Sequence, residues 1–194
     1  MPSHEDDARR PNTAYSRAKA AIEDYLLGLA DEGLDVTVLR IGHVYGRNVS
    51  TVEEFKSLLY LGAYRLAGPG DHLIPPVHVG DVAKAMVLAG ENETARGQVY
   101  NVNDDQPIPL RDFSDLLARE IGRPPVKSMP VSLFSASAAV LEFLALFTGN
   151  PPFFDRDTVT LMRSAHHGDT TKIKEELGWS PRYPSFREGV KTCF

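Results

Sequence analysis

The stretch 36-VTVLRIG-42 is a near-continuous apolar run rich in β-branched residues. A strand with one solvated face alternates; a run without alternation suits a parallel strand covered on both faces. On either side of it the period changes. Upstream, 13-TAYSRAKAAIEDYLLGLADEG-33 sets Ala18, Ala21, Ile22, Tyr25, Leu26, Leu29 and Ala30 at helical spacing. Asn12 or Thr13 can cap that helix, and Gly33 supplies its stop. Downstream, residues 51–66 put Val52, Phe55, Leu58 and Leu59 on one side of a second helix.

The pattern continues. The turn-rich 68-GPGDHLIPPVHV-79 ends in a short extended piece, followed by a helix over 82–90 and an alternating strand, 98-QVYNVN-103. A helix over 110–121, an extended 125-PVKSMPV-131 and an apolar helix over 131–147 come next. The tail reads as a helix near 156–164 and another in 171-TKIKEELGW-179, stopped at Gly178. The final 185-SFRE-188 has capping-box spacing. Strands alternating with helices predict an α/β class, but the strands are too few to complete a doubly wound sheet. There is no internal repeat.

Composition narrows the function. At 194 residues with 42% hydrophobic and 24% charged, the chain reads as one soluble globular domain. Its net charge of -5 argues against nucleic acid as a partner, because phosphate binding needs a basic footprint. A lone cysteine, Cys193, excludes an internal disulfide framework and points to a reducing, cytoplasmic setting. The opening MPSHEDDARRPNT lacks the apolar core of a secretory signal. Residues 1–12 read as a flexible leader, with Glu5, Asp6 and Asp7 solvated. The stretch 131-VSLFSASAAVLEFLALF-147 is short for a membrane span and carries three serines and Glu142, so it reads as a buried or lid helix.

Tyr15 and Lys19 stand four apart, on one helix face. A phenol is a poor acid near neutral pH, and a neighbouring ammonium favours its phenolate. Such a pair suits general acid–base chemistry. The spacing alone is also common on solvated helices, so its context decides. That context is a series of motifs in order: 15-YSRAK-19, 39-LRIGHVYGR-47, 77-VHVGDVAKA-85, 97-GQVYNVND-104, 177-LGWSP-181 and 188-EGV-190. Together they resemble the C-terminal part of the extended short-chain dehydrogenase/reductase family, the NAD(P)-dependent epimerases, dehydratases and reductases.

The resemblance implies a partial Rossmann-like fold over residues 13–194, with a substrate-binding lobe mainly at 48–76 and 104–194. It implies that Tyr15 exchanges a proton with a substrate hydroxyl or carbonyl. Lys19 would hold the nicotinamide ribose, and the backbone at Gly42, His43 and Val44 would lie beside the nicotinamide. The 68–76 loop and the 131–154 region would shape the substrate pocket. The apolar helix looks like the branch of 3β-hydroxysteroid dehydrogenases and dihydroflavonol reductases, which favours a hydrophobic or ring-bearing substrate. A homodimer through the Tyr15–Lys19 helix is a further implication.

The family's glycine-rich nucleotide turn does not occur in these residues, nor does its Ser or Thr well upstream of the tyrosine; Ser3 lies only 12 residues before Tyr15. By the resemblance the chain begins midway through a larger fold and lacks the N-terminal nucleotide-binding half, so activity of the isolated chain is not expected and its binding of NAD or NADP on its own would be weak at best. The chain would then be marginally stable or self-associating, because the 36–42 strand leaves an edge and an apolar face uncovered. His43, Ile41 and Arg47 depart from the family's usual residues. His43 reads as pocket lining or surface loop, Asp81 as the cap of the next helix, and His78 as an organiser of its loop. His166 and His167 are adjacent and lack the spacing of two metal ligands on one helix face. Three alternatives stay open: a non-catalytic remnant serving as a binding or dimerisation module, a sugar-nucleotide epimerase or dehydratase, and an unrelated α/β binding domain.

Overall fold

The computed structural model describes residues 2–148, 160 and 167–194. In chain order the elements are α1 (Ala14–Asp31), β1 (Val38–Ile41), β2 (His43–Tyr45), α2 (Ser50–Tyr60), β3 (Leu66–Ala67), β4 (Leu73–Ile74), β5 (Pro76–His78), α3 (Val79–Glu91), β6 (Val99–Val102), β7 (Ile108–Pro109), α4 (Leu110–Glu120), β8 (Ser128–Met129), α5 (Val131–Thr148), α6 (Thr171–Leu177) and α7 (Phe186–Gly189). The class is α/β. Three of the four strand pairs are parallel: β1 with β6, β2 with β5, and β3 with β8; β4 and β7 pair antiparallel. The expected helix near 156–164 and the side chains of Glu142 and His166 lie outside the described residues, Thr160 apart.

The run expected to be one strand is longer and has two partners. Val38–Ile41 pairs with Val99–Val102, and three residues beyond Gly42 pair with Pro76–His78. The switch happens at Gly42, whose N–H donates to Val102 O at 3.0 Å while His43 N–H donates to Pro75 O at 2.7 Å. A Cβ on Gly42 would stand 2.3 Å from that Pro75 oxygen, so only glycine fits between the two pairings.

Thr13 is the cap that α1 uses. Its hydroxyl accepts from Ser16 N–H at 3.1 Å, and Ser16 Oγ accepts from Thr13 N–H at 2.9 Å, a reciprocal box. Gly33, at φ +99°, turns the chain out of the helix. No residue of α1 is buried, and Ile22 and Tyr25 are 52% and 68% exposed. The helix read as reaching 66 ends at Tyr60, where Gly62 at φ +64° redirects the chain into β3.

Two cores form. One, under α2 and α4, joins Tyr45, Val52, Leu59, Leu66, Phe113, Leu117 and Phe186. The other lies between β6 and the helices α3 and α6, and holds Val77, Val82, Tyr100, Val102, Ile173 and Trp179. The apolar α5 packs Phe134 and Ala138 on Ala67. Among the described residues no helix is long and apolar enough to cross a membrane.

The roles expected of His78 and Asp81 are exchanged. α3 begins at Val79, and the cap is His78, whose Nδ1 accepts from Gly80 N–H at 3.1 Å. Asp81 therefore falls inside the first turn, 3% exposed. Its carboxylate accepts backbone N–H groups from Arg182 at 2.9 Å and Tyr183 at 3.4 Å, clamping the C-terminal tail. Ser185 opens α7 but makes no capping box; its hydroxyl donates to Glu188 Oε1 at 2.8 Å.

Candidate functional site

In a parallel sheet, ligands gather beyond the carboxyl ends of the strands. Here a cleft of about 470 Å³ opens at the ends of β1 and β6, with Ile41, Gly42, Asn101 and Asn103 on one wall and Tyr15 and Lys19 of α1 on the other. Tyr15 is 59% exposed. The Lys19 ammonium stands 5.6 Å from the centre of the Tyr15 ring, so the two groups do share one space. A larger groove of about 630 Å³ runs along the outer edge of β1 beside α3, past Thr37, Leu39 and Met86, and contains neither member of the pair.

Of the residues expected beside a nicotinamide, Gly42 lines the cleft with Tyr15 and Lys19. His43 and Val44 do not line it. Val44 packs on the core around Val77 and Tyr100. The His43 side chain is exposed, yet desolvation, then the nearby His72, holds its pKa below the ordinary histidine value. From the 68–76 loop, Pro75 reaches the cleft; residues 149–154 lie outside the described residues.

The segment read as a flexible leader lies along the cleft. Ser3 forms a parallel bridge with Gly168, donating its N–H to His167 O at 2.8 Å and accepting from Asp169 N–H at 2.9 Å. Glu5 Oε1 accepts the free edge N–H of Asn101 at 2.8 Å, and Glu5 O accepts from Arg40 Nη1 at 2.9 Å. Arg9 pairs with Glu23 at 3.2 Å and with Asp24. Through these ties Arg10 and Asn12 become part of the wall. Sequence reading passed over Arg10, Asn101 and Asn103; for the asparagines the available signal was their place at the end of a parallel strand. Among the described residues no group of three or more His, Cys, Asp or Glu could hold a metal ion.

The model of the NAD dependent epimerase/dehydratase family matches residues 1–103, just over half of the chain. The chain belongs to that family, as an extended short-chain dehydrogenase/reductase. It is 27% identical over 182 residues to a 3-diazoavenalumate denitrifying reductase of Streptomyces sp, covering 93% of this chain and 54% of the relative. It is 28% identical over 197 residues to short-chain dehydrogenase/reductase family 42E member 1 of Mus musculus, covering 91% and 50%. A 2-alkyl-3-oxoalkanoate reductase of Shewanella oneidensis is 27% identical over 139 residues, covering 68% and 36%. Among solved structures, UDP-glucose 4-epimerase of Thermotoga maritima with UDP-glucose superposes with a TM-score of 0.71 at 28% identity, covering 99% of this chain and 55% of that one. The dTDP-glucose 4,6-dehydratase of Streptomyces venezuelae, with NAD and TYD bound, shares the fold at a TM-score of 0.73 and 21% identity, covering 99% and 53%. The chain thus spans about half the length of the relatives that match most of it.

Proposed function

We propose that this chain carries the proton-transfer face of an NAD(P)-dependent oxidoreductase acting on a hydroxyl or carbonyl of a small, hydrophobic or ring-bearing substrate. The observation that carries the reading is the convergence of Tyr15, Lys19 and Gly42 on one cleft at the strand ends. The residues present suit the nicotinamide–ribose end of a cofactor. The Lys19 ammonium and the Tyr15 hydroxyl can donate to ribose hydroxyls, whereas no Gly-x-x-Gly-x-x-Gly turn for the pyrophosphate occurs in these 194 residues. A bound reduced nicotinamide would supply the hydride. Tyr15 would give its proton to the carbonyl oxygen, Lys19 would steady the resulting phenolate, and the cleft wall would orient the carbonyl. The reverse direction returns the proton to Tyr15.

Pairing of two copies through α1 is part of the reading, because Ile22 and Tyr25 leave an apolar face in solvent. A second reading, a sugar-nucleotide epimerase or dehydratase, is favoured by the 28% identity to an epimerase with UDP-glucose. One assay, run with the missing nucleotide-binding half supplied, separates them. Cofactor-dependent turnover of 3-oxo acids and hydroxysteroids, but not of UDP-glucose, supports the first; turnover of UDP-glucose alone supports the second. Either activity should fall by roughly 10²–10⁴-fold in Tyr15→Phe, the range for losing a general acid. Turnover that survives this change would remove Tyr15 from the reaction.

A further inference from the structure

The charge of the cleft is opposite to that of the chain. Four basic side chains line it, Arg9, Arg10, Lys19 and Arg40, against two acidic ones, Asp7 and Glu23, in a protein of net charge -5. Two of the four cations are already engaged. Arg40 donates from Nε and Nη2 to the two oxygens of Glu23, at 3.2 and 2.7 Å, and Arg9 bridges Glu23 and Asp24. Those four charges close on themselves. Asp7 accepts from His4 N–H at 2.7 Å. Lys19 leans on the Tyr15 ring. Arg10 makes no hydrogen bond or ion pair with any other described residue. An exposed guanidinium without a partner, lining the same cleft as a candidate proton donor and as the apolar Pro11, Ile41 and Pro75, suits a planar anion on an apolar body.

We propose that Arg10 holds the carboxylate of a hydroxy acid or oxo acid in this cleft, so that the substrate's hydroxyl or carbonyl lies toward Tyr15. The inference rests on the reading of Tyr15 and Lys19 given above and names the substrate class for that site. A carboxylate suits the cleft better than a nucleotide pyrophosphate. A pyrophosphate needs free backbone amides at glycines. Gly42 in this cleft spends its N–H on Val102 O, and no glycine-rich turn in these 194 residues supplies a row of free amides.

The test is a ligand-observed NMR titration of the 194-residue chain with 3-hydroxydecanoate, its methyl ester, and ADP, repeated on Arg10→Gln and Arg10→Lys. The acid should bind roughly tenfold tighter than the ester, the scale of one charge-assisted pair. Arg10→Gln should erase that preference while ester binding and thermal unfolding stay as in the parent, and Arg10→Lys should restore part of it. Equal binding of acid and ester, or a preference that survives Arg10→Gln, overturns the assignment of Arg10 and leaves the oxidoreductase reading standing. Arg10-dependent displacement of the acid by ADP also overturns it, because the anion would then be the cofactor's phosphate. Binding of neither acid nor ester removes the small-molecule reading of the cleft along with the inference.

Discussion

Tyr45 on β2 donates its hydroxyl hydrogen to Asp104 Oδ2 at 3.0 Å, and both residues are fully buried. Among the described residues the other oxygen, Oδ1, has no hydrogen-bond partner. Desolvation pushes the Asp104 carboxyl up to about 8 against the Tyr45 bond, with Asp81 adding to the rise. Burial and the same carboxylate raise the Tyr45 phenol as well. A carboxyl whose folded pKa lies above its ordinary value of 3.8 binds its proton more tightly in the folded state. Its contribution to stability is complete below about 4 and is lost as pH rises through about 8, at no more than roughly 1.4 kcal/mol per pH unit. Asp104→Asn keeps an acceptor for Tyr45 and removes the titration. Thermal unfolding from pH 5 to pH 8 should therefore be flatter in the variant than in the parent, with the variant the more stable at pH 8. His43, His78 and His167, held low chiefly by desolvation, titrate in both proteins and cancel in the difference. Parallel curves for the two proteins would refute the buried-proton account.

The change of partner at Gly42 makes a steric prediction. Gly42→Ala drives a methyl into Pro75 O and toward Asn103 Cβ at 3.2 Å, and should cost about 1–3 kcal/mol by denaturant unfolding. Gly28, within α1, has nothing within 4 Å of where an added methyl would stand, and Gly28→Ala should instead stabilise by about 0.5–1 kcal/mol. Equal effects at the two sites would show that the Gly42 crossing is not tight.

Asp81 ties the tail to α3 through two backbone donors, and its own carbonyl accepts from Trp179 Nε1 at 3.0 Å. Asp81→Ala leaves the Arg182 and Tyr183 N–H groups unmet and should cost about 2–3 kcal/mol. Trp179 is the single tryptophan and is 1% exposed, so its emission reports the event directly. A change under about 0.5 kcal/mol, of the size usual for surface substitutions, would mean that the tail is held elsewhere.

The apolar face of α1 should drive association. Sedimentation velocity is expected to show concentration-dependent self-association of the parent, shifted toward monomer by Tyr25→Glu, because a charge on an interface helix is costly to desolvate. A clean monomer at high concentration would leave that face without a partner of its own kind.

Local signals in the sequence were enough for elements that answer to local physics. α2, α4 and α6 follow from apolar spacing, and Gly178 ends α6 in the left-handed region at φ +64°. The parallel pairing of β1 follows from its unbroken apolar run, but burial on both faces does not: Val38, Leu39 and Arg40 are half-buried and Ile41 is exposed. What stayed hidden depends on distant chain. Asp81 looked like a cap because the helix reads as starting at 82. The true start at Val79 frees it for a tail 101 residues away. The Gly42 switch requires β5 and β6 together, which no window of sequence displays. The Tyr15–Lys19 pairing was legible from spacing and motif, whereas Arg10 enters the site only because Ser3, Glu5 and Arg9 fasten the leader to the sheet.

The most direct test of the central claim, that Tyr15 and Lys19 form the nicotinamide side of the site, is saturation-transfer NMR of NADH and NADPH against the purified chain, a method sensitive to weak binding. The account predicts transfer to the nicotinamide and ribose protons that falls at least about tenfold in Lys19→Met, while the fold, read from Trp179 emission, is unchanged. Transfer confined to the adenine end, transfer indifferent to Lys19, or no transfer at millimolar cofactor would contradict it.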